Sequence, residues 1–339
     1  MNYEQIRYSS PDGLTRKKTY QKPAFSMAII LFVIQMFLFL TVEGWCQYLF
    51  GMGGLAITEG MILGLTVLFV FLTRSDPAEI FPFRRPDGTA VAGTYIMFAG
   101  TYGIVLLSNL VLYYLIPEEL TWFSDQMEST MDSPLLLEIL VVCLLPAICE
   151  EAMHRGFIQH ALPDRMKNIY AQCAVMGVFF ALFHFYPIRY PSMFIMGFFL
   201  SYLCAKTGSM FYSCLIHFSL NTFSTILDRV TGGAVMRLSV TGLPAASLFT
   251  RGAASSAEMP GFSLAMLGVE IMFLGIPAVF LLYLGNFLID RGIAPVVPDF
   301  LPSDPAGRKH VLWQKILFPI IGLAVIGFFC IAISLIWNI

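Results

Sequence analysis

Residues 135–157 read LLLEILVVCLLPAICEEAMHRGF, and this stretch decides the fold. Apart from Glu138 it runs apolar to Cys149, then meets two adjacent acids, Glu150 and Glu151, with Arg155 four residues on. A carboxylate in hydrocarbon costs roughly 2.5–3.5 kcal/mol on insertion scales. Two in a row inside a would-be membrane span need a chemical reason.

The surrounding composition supports the membrane reading. The 339 residues are 57% hydrophobic and only 12% charged, and the mean hydropathy is +0.74. Soluble domains carry about 25% charged residues. Apolar runs of about 20 residues recur, which indicates helices rather than the short alternating segments of a β-barrel. The expected fold is all-α: a polytopic helical membrane protein of about eight to nine transmembrane helices around a buried active-site cavity. A net charge of −2 gives no basic footprint for nucleic acid. The seven cysteines fall mostly in apolar spans without CxxC spacing and read as small buried hydrophobes.

Nine spans are expected, near 24–42, 54–73, 90–116, 134–161, 168–187, 190–206, 209–228, 262–289 and 315–337. They group into a basic tail (1–23), three N-terminal spans (24–133), a four-span catalytic core (134–228), an extracytoplasmic loop (229–261) and two C-terminal spans (262–339). No cleavable signal peptide is read at the start. Lys and Arg cluster in the tail and in every second loop: Arg74, Arg84 and Arg85, then Arg165 and Lys167, then Lys206, then Arg291, Arg308, Lys309 and Lys315. The positive-inside rule makes that side cytoplasmic. The N-terminus is then inside, the C-terminus outside, and the acidic 117–133 loop outside. Arg229, Arg237 and Arg251 stand against this pattern. The Gly-, Ala- and Ser-rich 229–261 loop reads as a connector, with a lid over a cavity as the alternative.

On a helix, Glu151 lies beneath Arg155, a pairing that lowers the cost of burying both. Glu150 points about 100° away and is left available, in a setting that suits a general acid or base. Pro146, one turn earlier, disturbs the helix near these acids. His184 is the ionisable residue of the fifth span, in Phe180-Ala-Leu-Phe-His184, and His217-Phe-Ser-Leu-Asn221 places two polar groups on one face of the seventh. Counted from the turns at one side, Glu150, His184, His217 and Asn221 rise about 20, 25, 14 and 20 Å, so they can meet inside the membrane. Singly, each has a plain alternative: an intramembrane His often only hydrogen-bonds a neighbouring helix, and a Glu–Arg pair can be a packing staple. His154 is one turn from Glu150 and His160 reads as interfacial. Glu138 and Glu270 are intramembrane acids without evident partners, and Gln35 reads as an interhelical hydrogen bonder. HExxH is absent, and Glu151-Ala-Met-His154 lacks the second Glu-x-x-His element of a di-iron site.

Glu-Glu-x-x-x-Arg, Phe-x-x-x-His and His-x-x-x-Asn, in order on successive spans, resemble the CPBP group: type II CAAX prenyl endopeptidases, Abi-type and bacteriocin-processing proteins, and lysostaphin resistance protein A-like proteins. The resemblance covers 134–228. It implies an intramembrane endopeptidase in which Glu150 and His184 activate a water, Glu151 and Arg155 support them, and His217 and Asn221 polarise the scissile carbonyl. His154 stands where the family often has an apolar or aromatic residue. The resemblance leaves the cofactor open between none and Zn²⁺, with Glu150, His184 and His217 as the possible ligands. The basic tail, without a targeting extension, fits the plasma membrane of a bacterium, where a membrane-associated protein or peptide precursor is the expected substrate. Two other readings stand beside it: a non-proteolytic scaffold or immunity and envelope factor of the same family, and a proton-coupled transporter, which the lack of internal repeat symmetry disfavours. Oligomeric state is not legible.

Overall fold

The computed structural model describes residues 21–116, 133–164, 166, 168–231, 263–293 and 305–337. Among them there is no strand. The long helices are α1 (Phe25–Phe50), α2 (Met52–Leu72), α3 (Gly88–Leu115), α4 (135–160), α5 (Ile169–Phe183), α6 (Tyr190–Thr207), α7 (Met210–Thr231), α8 (Leu264–Gly292) and α9 (Pro305–Trp337). Each expected span corresponds to one of them. Among the described residues six helical segments are long and apolar enough to cross a membrane, and the chain is a multi-pass membrane protein. The 1–20 tail, Arg165, Lys167 and most of the 117–133 and 229–261 loops lie outside the described residues.

The polarity is inverted relative to a soluble protein. Phe37, Phe71, Phe273 and Phe328 are exposed on the outer faces, where hydrocarbon replaces water. Gln35, Glu43, Glu59, Glu138, Glu151 and Arg155 are buried. α4 is the hub: it contacts α1, α2, α5, α6 and α7. α8 packs along α3 on one side and α9 on the other. Small residues permit this closeness, since a Cβ on Gly285 would fall 2.5 Å from the Gly93 carbonyl oxygen.

The helix ends sort as the alternation of basic loops requires. Lys22, just before α1, bonds the Leu162 carbonyl and the Asp164 carboxylate after α4. The Gln21 N–H reaches Arg74 O after α2, and the Arg84 and Asp87 N–H groups reach Ser209 and Tyr212 at the start of α7. Lys206 ends α6 in a buried ion pair with Asp290 of α8. All these termini therefore share one end of the bundle.

Three boundaries differ from the sequence reading. α1 continues past 42 to Phe50 through a π segment, Phe39–Glu43, and turns at Gly51 (φ +53°). α5 stops at Phe183 rather than 187, because His184 caps it, Phe185 adopts φ +55° and Pro187 follows. α7 runs to Thr231, so Arg229 is helical rather than part of a loop. The expected disturbance at Pro146 takes the form of a π segment, Ile139–Leu144, immediately before it. A second, Ala152–Ile158, carries His154 and Arg155. π segments in α-helices occur frequently at functional sites. Cys143, Cys149, Cys173 and Cys204 are buried, and no cysteine is in a disulfide.

Candidate active site

Glu151 is fully buried, and its Oε1 accepts from two helices at once. Arg155 Nη1, one turn along α4, donates at 2.9 Å, and His217 Nδ1 of α7 stands at 2.9 Å. The guanidinium also donates through Nη2 to the Gly197 carbonyl of α6 at 3.1 Å, and its carbon lies 4.6 Å from the centre of the Phe180 ring of α5. Glu151 and Arg155 thus tie α4 to three neighbours. The pairing expected from their spacing is present.

Phe180 is the aromatic floor of the site. The rings of His184, His154 and His217 lie 4.7, 5.3 and 6.0 Å from it. α6 comes close enough to support this ring because Gly197 has no side chain: a Cβ there would sit 2.6 Å from Phe180 Cβ.

His184 is held by its own helix, with Nδ1 2.8 Å from Phe180 O. A carbonyl only accepts, so Nδ1 carries the hydrogen and the neutral ring presents the Nε2 lone pair. His154 makes the same contact to Glu150 O at 2.9 Å. It therefore meets the Glu150 backbone, not its carboxylate, and is fully buried among Phe180, Phe183 and Phe32. His160 bonds Gly156 O at 2.6 Å. The Glu150 side chain belongs to neither pair. Its Oε2 is buried without a hydrogen-bond partner, and its electrostatic neighbours are His217, Glu151, Arg155 and Arg189.

Asn221 Nδ2 donates to the Val142 carbonyl at 3.3 Å. Val142 is the residue that Pro146, lacking an N–H, cannot serve four positions on. Asn221 thus repairs the ladder broken by proline and keeps one amide hydrogen for another acceptor. The contact belongs to a seam. His217, Asn221, Thr225 and Arg229 recur every four residues on α7 and meet Glu151, Val142 O, Cys143 and Glu138 of α4. At its far end Arg229 grips both Glu138 oxygens, at 2.9 and 2.8 Å, and also bonds Ser133 O. That supplies the partner Glu138 lacked in the sequence reading.

Residues 132–223 match the family model of Rce1-like type II CAAX prenyl endopeptidases. This bears out the resemblance read from the three motifs. The matched region, roughly a quarter of the chain, contains all six candidate residues. No curated protein and no solved structure matches the chain.

Zinc at this site would draw on Glu150, His184 and His217. Among the described residues no three His, Cys, Asp or Glu side chains are gathered to hold a metal ion. His217 and His184 each spend Nδ1 on another partner. Each ring keeps Nε2, the nitrogen that zinc would take, because a zinc-ligating histidine commonly bonds a carbonyl or carboxylate through its other nitrogen. Sequence reasoning missed Arg189, which neighbours Glu150 and His184. Its signal was an arginine in a short turn on the side expected to lack them. It also treated Glu59 only as a weakness of the second span and passed over Glu43.

Proposed function

We propose that the chain is an intramembrane endopeptidase that hydrolyses a peptide bond of a membrane-associated protein or peptide precursor, using water activated by Glu150 and His184. One observation carries this reading. Each of two adjacent acids keeps one buried oxygen without a hydrogen-bond partner, but Glu151 Oε1 is held by Arg155 and His217, whereas among the described residues no ion pair or side-chain hydrogen bond claims the Glu150 carboxylate. A carboxylate so placed accepts a proton from water, and His184 Nε2 offers a second acceptor. Attack on the carbonyl builds negative charge on its oxygen. The second Asn221 N–H, Arg189 and, as an imidazolium donating through Nε2, His217 are the groups able to meet that charge. Glu150 then returns the proton to the departing amide nitrogen. The match to an endopeptidase family supports the reaction class. The sidedness of the basic loops supports a cytoplasmic N-terminus.

The test compares wild type with Glu150→Gln and His184→Ala in proteoliposomes and in cells, with membrane peptides profiled by mass spectrometry. Both variants are expected to fold, to lose turnover by about 10²–10⁴-fold, and to accumulate an uncut precursor. Retained function in both supports the scaffold reading instead.

A further inference from the structure

A groove with none of the candidate catalytic residues in its walls lies between the start of α1 and the end of α2. Its cavity is about 510 Å³. The polar part of its wall comes from the chain at the helix ends, Lys22, Thr73 and Arg74, and the apolar part from the helices, Met27, Ile30 and Phe69. Ile30 lies five residues inside α1, about 8 Å deeper than the first helical residue. Met27 and Ile30 are exposed on the outer face of the bundle, so the groove opens toward hydrocarbon. Phe69 is buried at its back, edge-on to Phe157 of α4 with ring centres 6.0 Å apart.

The polar end is cationic. Among the described residues no Asp or Glu lines the cavity. Lys22 Nζ donates to the Leu162 carbonyl at 2.8 Å and pairs with the exposed Asp164 carboxylate, which leaves one of its three N–H groups for another acceptor. Arg74 is exposed and forms no ion pair among the described residues. Its backbone is held at φ +54°, a conformation that a long side chain adopts only where its surroundings impose it. The Arg74 carbonyl accepts the Gln21 N–H at 3.3 Å. That bond ties the end of α2 to the start of α1 and places Arg74 in the cavity wall across from Lys22.

We propose that this groove binds an anionic phospholipid, with its phosphate between Lys22 and Arg74 and an acyl chain along Met27, Ile30 and Phe69. A phosphate oxygen accepts charge-assisted hydrogen bonds from both cations. A soluble phosphate uses the cations and leaves the apolar wall bare; a lipid matches both, in the order in which depth presents them. The basic loops gather at this end of the bundle, and the positive-inside rule assigns it to the leaflet that exposes anionic lipid. The site stands independently of the hydrolase reading. Its neighbours give it a structural consequence. Lys22 bonds the chain that leaves α4, and Phe69 meets Phe157 in the α4 π segment Ala152–Ile158. A lipid seated here braces the ends of α1, α2 and α4 together.

Native mass spectrometry and thermal melts of the full chain test this, with phosphatidylglycerol and phosphatidylcholine of the same acyl chains as probes. Wild type is expected to retain phosphatidylglycerol over phosphatidylcholine by about tenfold or more, and to melt higher when phosphatidylglycerol is added. Lys22→Gln and Arg74→Gln should each lower that retention by about fivefold. Arg85→Gln, exposed but outside the groove, should leave it unchanged. Ile30→Trp, which fills the apolar wall, should lower retention with both cations intact. If Lys22→Gln fails to fold, Arg74→Gln and Ile30→Trp report on the same groove. Equal retention by wild type and Arg74→Gln overturns the proposal. So does equal retention of the two lipids, the outcome expected if another part of this chain fills the groove. So does a melting shift in detergent that inorganic phosphate alone reproduces, which assigns the cations to a soluble anion. No turnover is needed for any of these readouts.

Discussion

His217 Nδ1 lies 2.9 Å from Glu151 Oε1, the same oxygen that accepts from Arg155. A histidine expected to face only substrate is therefore also a strut between α7 and α4. One carboxylate oxygen sets the position of two functional side chains, and its loss unseats both.

Glu151→Ala leaves the Arg155 guanidinium buried without its ion-pair partner. Breaking one side of such a pair costs about 3–5 kcal/mol. The melting temperature in detergent should fall sharply for this variant. It should recover much of that loss in Glu151→Ala/Arg155→Met, where no bare charge remains. Equal destabilisation of single and double variants would contradict the pairing.

Asn221 serves two ends. Asn221→Ala removes the donor to Val142 O and should lower stability by about 1 kcal/mol. Turnover should drop further than that loss explains, with kcat affected more than KM, because the second N–H meets charge that develops during reaction. If kcat follows only the folded fraction, Asn221 is purely structural.

Gly197 is where α6 touches the floor of the site. A methyl group there meets Phe180 Cβ at 2.6 Å, and overpacking of this kind costs about 1–3 kcal/mol. Gly197→Ala should both destabilise the protein and lower turnover, since the Arg155 acceptor and the Phe180 ring move together. Gly64→Ala, which meets nothing within 4 Å, is the matched control and should not lower stability.

The Glu138–Arg229 clamp fixes the outer end of the α4–α7 seam. A double-mutant cycle with Glu138→Gln and Arg229→Gln should give a coupling of about 0.5–3 kcal/mol, read from thermal or denaturant melts. Additive losses would mean that the two side chains do not act as a pair.

Much of this arrangement was legible in the residues. The Glu151–Arg155 pair followed from four-residue spacing, because a helix stacks such positions whatever surrounds it. The order of the helices followed from apolar runs, and six of the segments among the described residues are long and apolar enough to span hydrocarbon. His184 was read as lying within a span and instead caps one, because the Phe185 backbone conformation ends α5. His154, one turn from Glu150 in the sequence, bonds its backbone carbonyl. The Glu138 partner sits 91 residues away, beyond any local pattern.

The sequence by itself determined the fold class, the order of the spans and the three motifs, because periodicity and burial cost act along one chain locally. Tertiary structure alone added His217 of α7 to the Glu151–Arg155 pair that spacing had implied. It also joined α7 to α4 in a seam with a four-residue repeat. Those outcomes depend on how helices rotate and pack against one another. A single helix carries its own face, but not the identity of the face that will meet it.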